Sequence, residues 1–256
     1  MEWPHDLLRQ ICNDPTTPKK IKRLIRRNLR PTEVDYKGCR MEVHPSDNHT
    51  EFLIWQKGKT MEERALNHVL NGLPDRPITA YDVGANAGVY SLRIAAIAVP
   101  GSAIHAFEPN PTMRARLEKN IALNGFDSIQ VHPCAISDGA GELDLYVPVD
   151  TNLGEASLSK PKKGATPTRV QVRKLSDFLP PDKQTPIDFI KVDVEGHEDR
   201  VLAPLLSDMP IAQLPKSVLF EVEHNKAWKS DLGKLLTNTG YELDAKFGRN
   251  AIYRLK

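Results

Sequence analysis

A chain of 256 residues, 40% hydrophobic and 27% charged, has an ordinary globular composition and room for one α/β domain with an extension or two small domains. Its net charge of +2 argues against a dedicated nucleic-acid binder, and no apolar run is long enough to span a bilayer. Cys12, Cys39 and Cys134 are odd in number and too scattered for a disulfide framework or metal spacing, and the first residues lack signal-peptide character, so the expected compartment is the cytoplasm.

In chain order, residues 19–30 place Ile21, Leu24, Ile25 and Leu29 at helical spacing among basic residues. This predicts an amphipathic surface helix whose apolar stripe docks on the core; contact with an anionic membrane surface or substrate is the sharper alternative. Residues 41–44 and 51–55 read as strands of a small antiparallel element, and 61–70 as a helix. The run Gly72-Leu73-Pro74-Asp75-Arg76-Pro77 is a turn-rich linker. It separates an N-terminal extension or cap (1–77) from the main domain (78–256).

From residue 78 strands and helices alternate. The pattern predicts strands over 78–83, 103–107, 129–132, 187–192 and 217–222. Helices are predicted over 89–98, 112–124, 197–206 and 231–239. A hairpin pair is expected at 143–147 and 168–172, around a loop at 151–167 of a length that usually carries function or is disordered. Residues 241–246 and 251–255 close the chain as an antiparallel pair. Such alternation implies an α/β fold, a mainly parallel, doubly wound sheet, with ligands bound at the carboxyl ends of its strands.

Two motifs say which ligand. Asp82-Val83-Gly84-Ala85-Asn86-Ala87-Gly88-Val89 is the end of a buried strand, a glycine turn and a helix start, which aims backbone N–H groups at an anion. A pyrophosphate-binding turn would have glycine where Asn86 stands. S-adenosylmethionine (SAM) has no pyrophosphate and does not need it, and Asp82 is placed to receive its ammonium. The second strand ends at Glu108, twenty residues after Gly88, the spacing of a carboxylate that accepts ribose hydroxyls.

A third motif gathers acids. Strand parity puts Lys191, Asp193 and Glu195 on one face, and Glu221 and Glu223 on one face of the next strand. If the two strands are neighbours, up to four carboxylates meet at one sheet edge, and something must offset their repulsion. Lys191, the SAM sulfonium, protonation or a divalent cation are the candidates. Oxygen ligands from Asp193, Glu221 and Glu223 would suit Mg2+. Asp193 is expected near the methyl donor, with Glu195, Glu223 or His224 as general base; His224 reaches the space only if its strand has ended by then. Glu198 reads as a helix N-terminal charge favoured by the dipole.

The segments Asp82–Ser91, Phe107–Pro111, Asn120–Gly125, Ala135–Asp138 and Asp188–Glu198 together resemble the successive signatures of FkbM-type SAM-dependent methyltransferases, over residues 78 to 224. The resemblance implies a class I, Rossmann-like fold with a seven-stranded sheet whose last strand is antiparallel, and methyl transfer, usually to oxygen, on natural products, sugars or polysaccharides. It implies that Asp82, Gly84, Asn86 and Gly88 hold the methionine part of SAM, Glu108 the ribose, and Cys134, Ala135 and Ile136 the adenine. Asp193 would lie between cofactor and acceptor, and Thr60 and Glu62 would border the cofactor. The expected partners are a small-molecule or glycan acceptor and no nucleic acid; a homo-oligomer is compatible with the sequence. The alternatives are an RNA or protein methyltransferase, an NAD-dependent oxidoreductase, and a non-catalytic SAM-binding protein.

Overall fold

The computed structural model describes residues 4–148, 152–158, 165–180, 185 and 187–256. Its first elements are helices α1 (His5–Asn13) and α2 (Lys19–Asn28) and the hairpin β1 (Thr32–Tyr36) and β2 (Cys39–Val43). Lys37 and Gly38, both at positive φ, make the two-residue turn that sets Tyr36 opposite Cys39. The free edge of β2 is satisfied by side chains: Arg40 N donates to Asn124 Oδ1 and Glu42 N to Asn120 Oδ1.

One expectation fails here. Residues 51–55 are not a strand but part of helix α3 (His49–Lys57), and β2 pairs with β1 instead. The side chain of Asn48 accepts from Glu51 N, and Gly58 at φ 61 ends the helix. Asn48 followed three residues later by glutamate is a helix-start pattern that outweighs the strand-like composition Phe52-Leu53-Ile54-Trp55. Helix α4 (Glu63–Gly72) follows, then the linker.

The main sheet is built from β3 (Thr79–Val83), β4 (Ala103–Phe107), β5 (Ile129–His132), β9 (Phe189–Val192), β10 (Ser217–Glu221), β11 (Tyr241–Phe247) and β12 (Asn250–Leu255). Between these strands lie helices α5 (Val89–Ala95), α6 (Pro111–Asn124), α7 (Glu198–Asp208) and α8 (Leu232–Asn238). The strand order is β11-β12-β10-β9-β3-β4-β5, and β12 runs antiparallel to both neighbours. This is the expected seven-stranded class I sheet with a reversed last strand. Strands β3 and β9 are buried throughout, as central parallel strands must be. One hydrophobic cluster joins the sheet residues Ala80, Ile104 and Leu219 to Tyr36, Met41, Trp55 and Leu66 of the N-terminal segment.

A smaller sheet holds β6 (Ala135–Ile136), β7 (Gly141–Pro148) and β8 (Ala165–Arg173). The expected hairpin is present, with Leu143 opposite Val170 and Leu145 opposite Thr168. Because β8 starts at Ala165, the segment expected as loop 151–167 is partly strand; residues 151 and 159–164 of it lie outside the described residues. Residues 152–158 fold back over the ends of the central strands, with Leu153 N donating to Asp47 O and Ser157 pairing with Tyr146.

The ends of β3 and β9 meet so closely that Gly84 has no room for a side chain. A Cβ there would lie 2.0 Å from the carbonyl oxygen of Asp193, and its φ is +79. By contrast Gly125, the left-handed cap of α6, has open space around it. Gly84→Ala should therefore cost roughly 3 kcal/mol or more in urea unfolding, and Gly125→Ala about 1 kcal/mol. Equal costs would contradict the close approach.

Candidate active site

A cavity of about 880 Å³ opens at the carboxyl ends of β3, β4, β9 and β10. Its floor is the turn after β3. Gly84 and Asn86 both have positive φ there, and asparagine is one of the few other residues that tolerates it. Asn86 Oδ1 accepts from its neighbour Ala87 N at 2.8 Å and from Asn48 Nδ2 at 3.0 Å. Its own N–H donates to Glu108 Oε2 at 2.7 Å, while Asn110 N donates to Glu108 Oε1 at 2.8 Å. Glu108 is thus a buried carboxylate held by two backbone N–H groups. Burial nonetheless pushes its pKa up to about 7 against those bonds.

Asp82 does not do what the sequence suggested. Its carboxylate is 1% exposed and lies behind the cavity wall, accepting from Ser91 N and Oγ and facing Lys191 Nζ at 3.3 Å. It positions the turn and is not presented to a ligand ammonium. Gly88 is also set back, as the cap of α5 against Leu117. Of the other residues read as cofactor-binding, Gly84, Asn86, Glu108, Cys134, Ala135, Ile136, Asp193 and Glu62 line the cavity, as does Thr60.

Lys191 sits under this floor, 4% exposed. Its ammonium donates to Gly84 O at 2.7 Å and faces Asp82 and, at 3.7 Å, Asp193. Burial alone would lower its pKa; Asp82, Asp193 and Glu62 outweigh that and raise it, so the group is a fixed cation and not a base. Glu62, just before α4, stands across from it. Burial, then the Asp193 charge, raises the Glu62 pKa, while Lys191 and an Asn250 hydrogen bond oppose. Between them is Tyr90, whose buried hydroxyl faces Glu62 and whose ring lies 5.3 Å from Lys191 Nζ.

β9 and β10 are neighbours, and Asp193, Glu195 and Glu221 gather at their ends. Glu221 is 1% exposed, and burial followed by Asp193 pushes its pKa up to about 9. Arg249, in the turn between β11 and β12, pairs with Glu221 at 2.8 Å and with Glu223 at 3.0 Å. This lowers the pKa of Glu223, making it a poor proton acceptor. Strand β10 ends at Glu221, so the chain has turned by His224, whose Nε2 lies 3.4 Å from Glu195 Oε2 in the cavity wall. Glu198 is more than a dipole partner. It accepts from Val194 N, Gly196 N and Trp228 Nε1 and so fixes the turn in which Glu195 has φ 51.

The three oxygen ligands suggested for Mg2+ are not brought together. Among the described residues the converging sets are Glu195, Glu221, His224 and Asp193, Glu198, Glu221, whereas Glu223 turns to Arg249. Sequence reasoning missed Arg249, because which residue of the Phe247-Gly248-Arg249-Asn250 turn points inward depends on the register of a hairpin that no motif includes. It also named no residue of α3, whose His49 and Thr50 line the cavity beside residues 152–158 of the loop expected to carry function. Asn48 and Gly58, which mark α3 as a helix, were the available signal.

The sheet topology and the family match together define a class I SAM-dependent methyltransferase. The chain belongs to the FkbM family of these enzymes: the Methyltransferase FkbM domain matches residues 82–247. It is 30% identical to methyltransferase sdnD of Sordaria araneosa over 200 residues, 67% of this chain and 76% of that protein. It is 30% identical over 168 residues to the 31-O-demethyl-FK506 methyltransferase FkbM of Streptomyces tacrolimicus, covering 53% of this chain and 63% of that protein. Among solved structures, the methyltransferase FkbM of Methylobacillus flagellatus KT is similar with a TM-score of 0.47 at 17% identity, covering 80% of this chain and 53% of that one. No helix of the described residues is long and apolar enough to cross a membrane.

Glu221 generates a testable pH effect. An acid whose folded pKa is raised stabilises the fold fully below its unfolded pKa, and that contribution is lost as pH rises through the folded value, here about 9. Ligand-free stability in urea should fall between pH 7 and 9, and Glu221→Gln should flatten that fall. An unchanged slope in the variant would contradict the burial of an acid at this position.

Proposed function

We propose that the protein transfers the methyl group of SAM to a hydroxyl oxygen of a small-molecule or glycan acceptor. The observation that carries this reading is the division of one cavity into two chemistries: a backbone turn with buried Glu108 at one end, and the Asp193, Glu195 and His224 group at the other. A volume of about 880 Å³ lies in the upper part of the range of ligand pockets, roughly 300–1,000 Å³, and accommodates a nucleoside with a second molecule. One relative is named 2-O-methyltransferase NoeI and another 31-O-demethyl-FK506 methyltransferase, and both names support oxygen as the methylated atom.

The residues fit the cofactor. Glu108 would accept the ribose hydroxyls, the turn at Ala85–Ala87 would face the methionine carboxylate, and Cys134 to Ile136 would flank the adenine. Glu62 would take over the ammonium role first read for Asp82, with the Tyr90 hydroxyl beside it. Bound there, SAM supplies a methyl group activated on a sulfonium. Asp193, fixed by Lys191, orients the acceptor hydroxyl in line, and orientation of this kind supplies much of a rate enhancement. His224 would take the proton that the acceptor hydroxyl loses as its oxygen gains the methyl carbon and the carbon–sulfur bond of SAM breaks to leave the neutral thioether, and the Glu195 carboxylate would stabilise the resulting imidazolium. The charges of Lys191 and Arg249 offset the clustered acids, so the proposed route does not draw on Mg2+. Three buried free cysteines fit a reducing compartment such as the cytoplasm.

Radiolabelled methyl transfer from SAM to pools of hydroxylated acceptors tests the reading. Transfer should survive EDTA, and both Asp193→Ala and His224→Ala should lower turnover by about 10²-fold or more while SAM still binds. Near-normal turnover in both variants would overturn it. Glu108 adds a proton-linked prediction. Its pKa near 7 means that a carboxylate accepting ribose hydroxyls must first lose a proton at lower pH. SAM affinity should fall by up to about tenfold per pH unit below 7, with proton release on binding visible as buffer-dependent heats in calorimetry. Affinity constant from pH 5.5 to 8, values chosen to bracket about 7, would contradict ribose binding by this group.

A further inference from the structure

Helix α2 carries a pattern that the cofactor site does not use. Residues 19–30 hold seven of the chain's 35 Lys and Arg and no acid; the other 28 basic residues face 33 acidic ones. Basic charge is therefore concentrated on one segment of an otherwise acidic chain. The expectation that its apolar stripe docks on the core holds for only half of the stripe. Leu29 is buried and Ile25 half-buried, but Ile21 and Leu24 are 46% and 63% exposed.

The two faces of α2 do different things. Its inner face is anchored by Arg26, whose Nε donates to Pro45 O and whose guanidinium lies 4.9 Å from the Phe52 ring of α3. On the outer face, helical spacing brings Lys20, Arg23 and Arg27 around Leu24, and all four side chains are exposed. An exposed leucine ringed by cations matches the cross-section of an anionic bilayer, which offers lipid phosphates and carboxylates at its surface and acyl chains just beneath. Nucleic acid offers the phosphates but no apolar phase for Leu24 and Ile21.

We propose that α2 docks the protein on an anionic lipid surface, with Leu24 and Ile21 entering the headgroup boundary and Lys20, Arg23 and Arg27 paired with lipid anions. Because α2 rests on α3, and α3 carries His49 and Thr50 into the cavity wall, docking sets that wall one helix away from the lipid. This proposal does not depend on which acceptor is methylated.

The test is co-sedimentation of the full chain with vesicles of phosphatidylcholine alone and with vesicles containing about one third phosphatidylserine. The protein should bind only the anionic vesicles, and less at high salt. The combined Lys20→Gln, Arg23→Gln, Arg27→Gln variant should weaken binding on the order of a hundredfold. Leu24→Ser should weaken it about tenfold without changing charge. Unchanged thermal unfolding of both variants confirms that they are folded. No binding to anionic vesicles, or binding that either variant leaves intact, overturns the proposal. Retention on heparin without vesicle binding also overturns it and assigns the helix to a soluble polyanion.

Discussion

The buried ammonium of Lys191 is the interaction on which the site depends. It lies beneath the cavity floor and reaches three groups: the Asp82 carboxylate in β3, the Gly84 carbonyl just after it, and the Asp193 carboxylate just after β9. Two acids so close, one of them almost fully buried, would repel without it, and breaking a buried ion pair on one side typically costs about 3–5 kcal/mol. The cation makes their proximity favourable, and that proximity in turn permits the contact in which Gly84 meets the Asp193 carbonyl. The same ammonium thus ties the turn after β3 to Asp193, the residue proposed to orient the acceptor.

Around this centre the walls come from segments far apart in sequence. Asn48 caps α3 with its oxygen and reaches Asn86 with its nitrogen, so the N-terminal segment is tied directly to the cofactor turn. Arg116 of α6 holds Asp47 and the buried Glu51. The segment 152–158 is stitched to the same place through His49 N to Asn152 Oδ1 and Leu153 N to Asp47 O, and to the opposite wall through Ser157 Oγ to Glu195 O. The walls of the cavity are consequently defined by contacts between three regions, while its floor is defined by the turn after β3.

That contrast explains what could be read from the chain. The turn at Gly84–Gly88, the carboxylate at Glu108 and the acid run after Lys191 are local, with fixed spacing from strand ends, and parity alone placed Asp193 and Glu221 side by side once β9 and β10 paired. The mainly parallel sheet followed from alternation, and its reversed last strand from the family resemblance. What local pattern does not carry is partnership. Asp82 has the position of a ligand-facing acid but is taken by Ser91 and Lys191. Glu223 has the parity of a catalytic acid but is neutralised by Arg249, which arrives from a distant hairpin. Helix α3 was obscured because Phe52, Ile54 and Trp55 suit a strand by composition, and the deciding signal lay in the cap residues at its two ends.

The central claim is that the Lys191 cation organises a SAM-binding cavity. Calorimetric titration of SAM into the folded wild type and into Lys191→Met tests it most directly, with NAD titrated in parallel. The account predicts micromolar SAM binding by the wild type, no NAD binding, and a loss of SAM affinity of about tenfold or more in a variant that still folds. A folded wild type that does not bind SAM, or a folded variant that binds it equally well, would contradict the account.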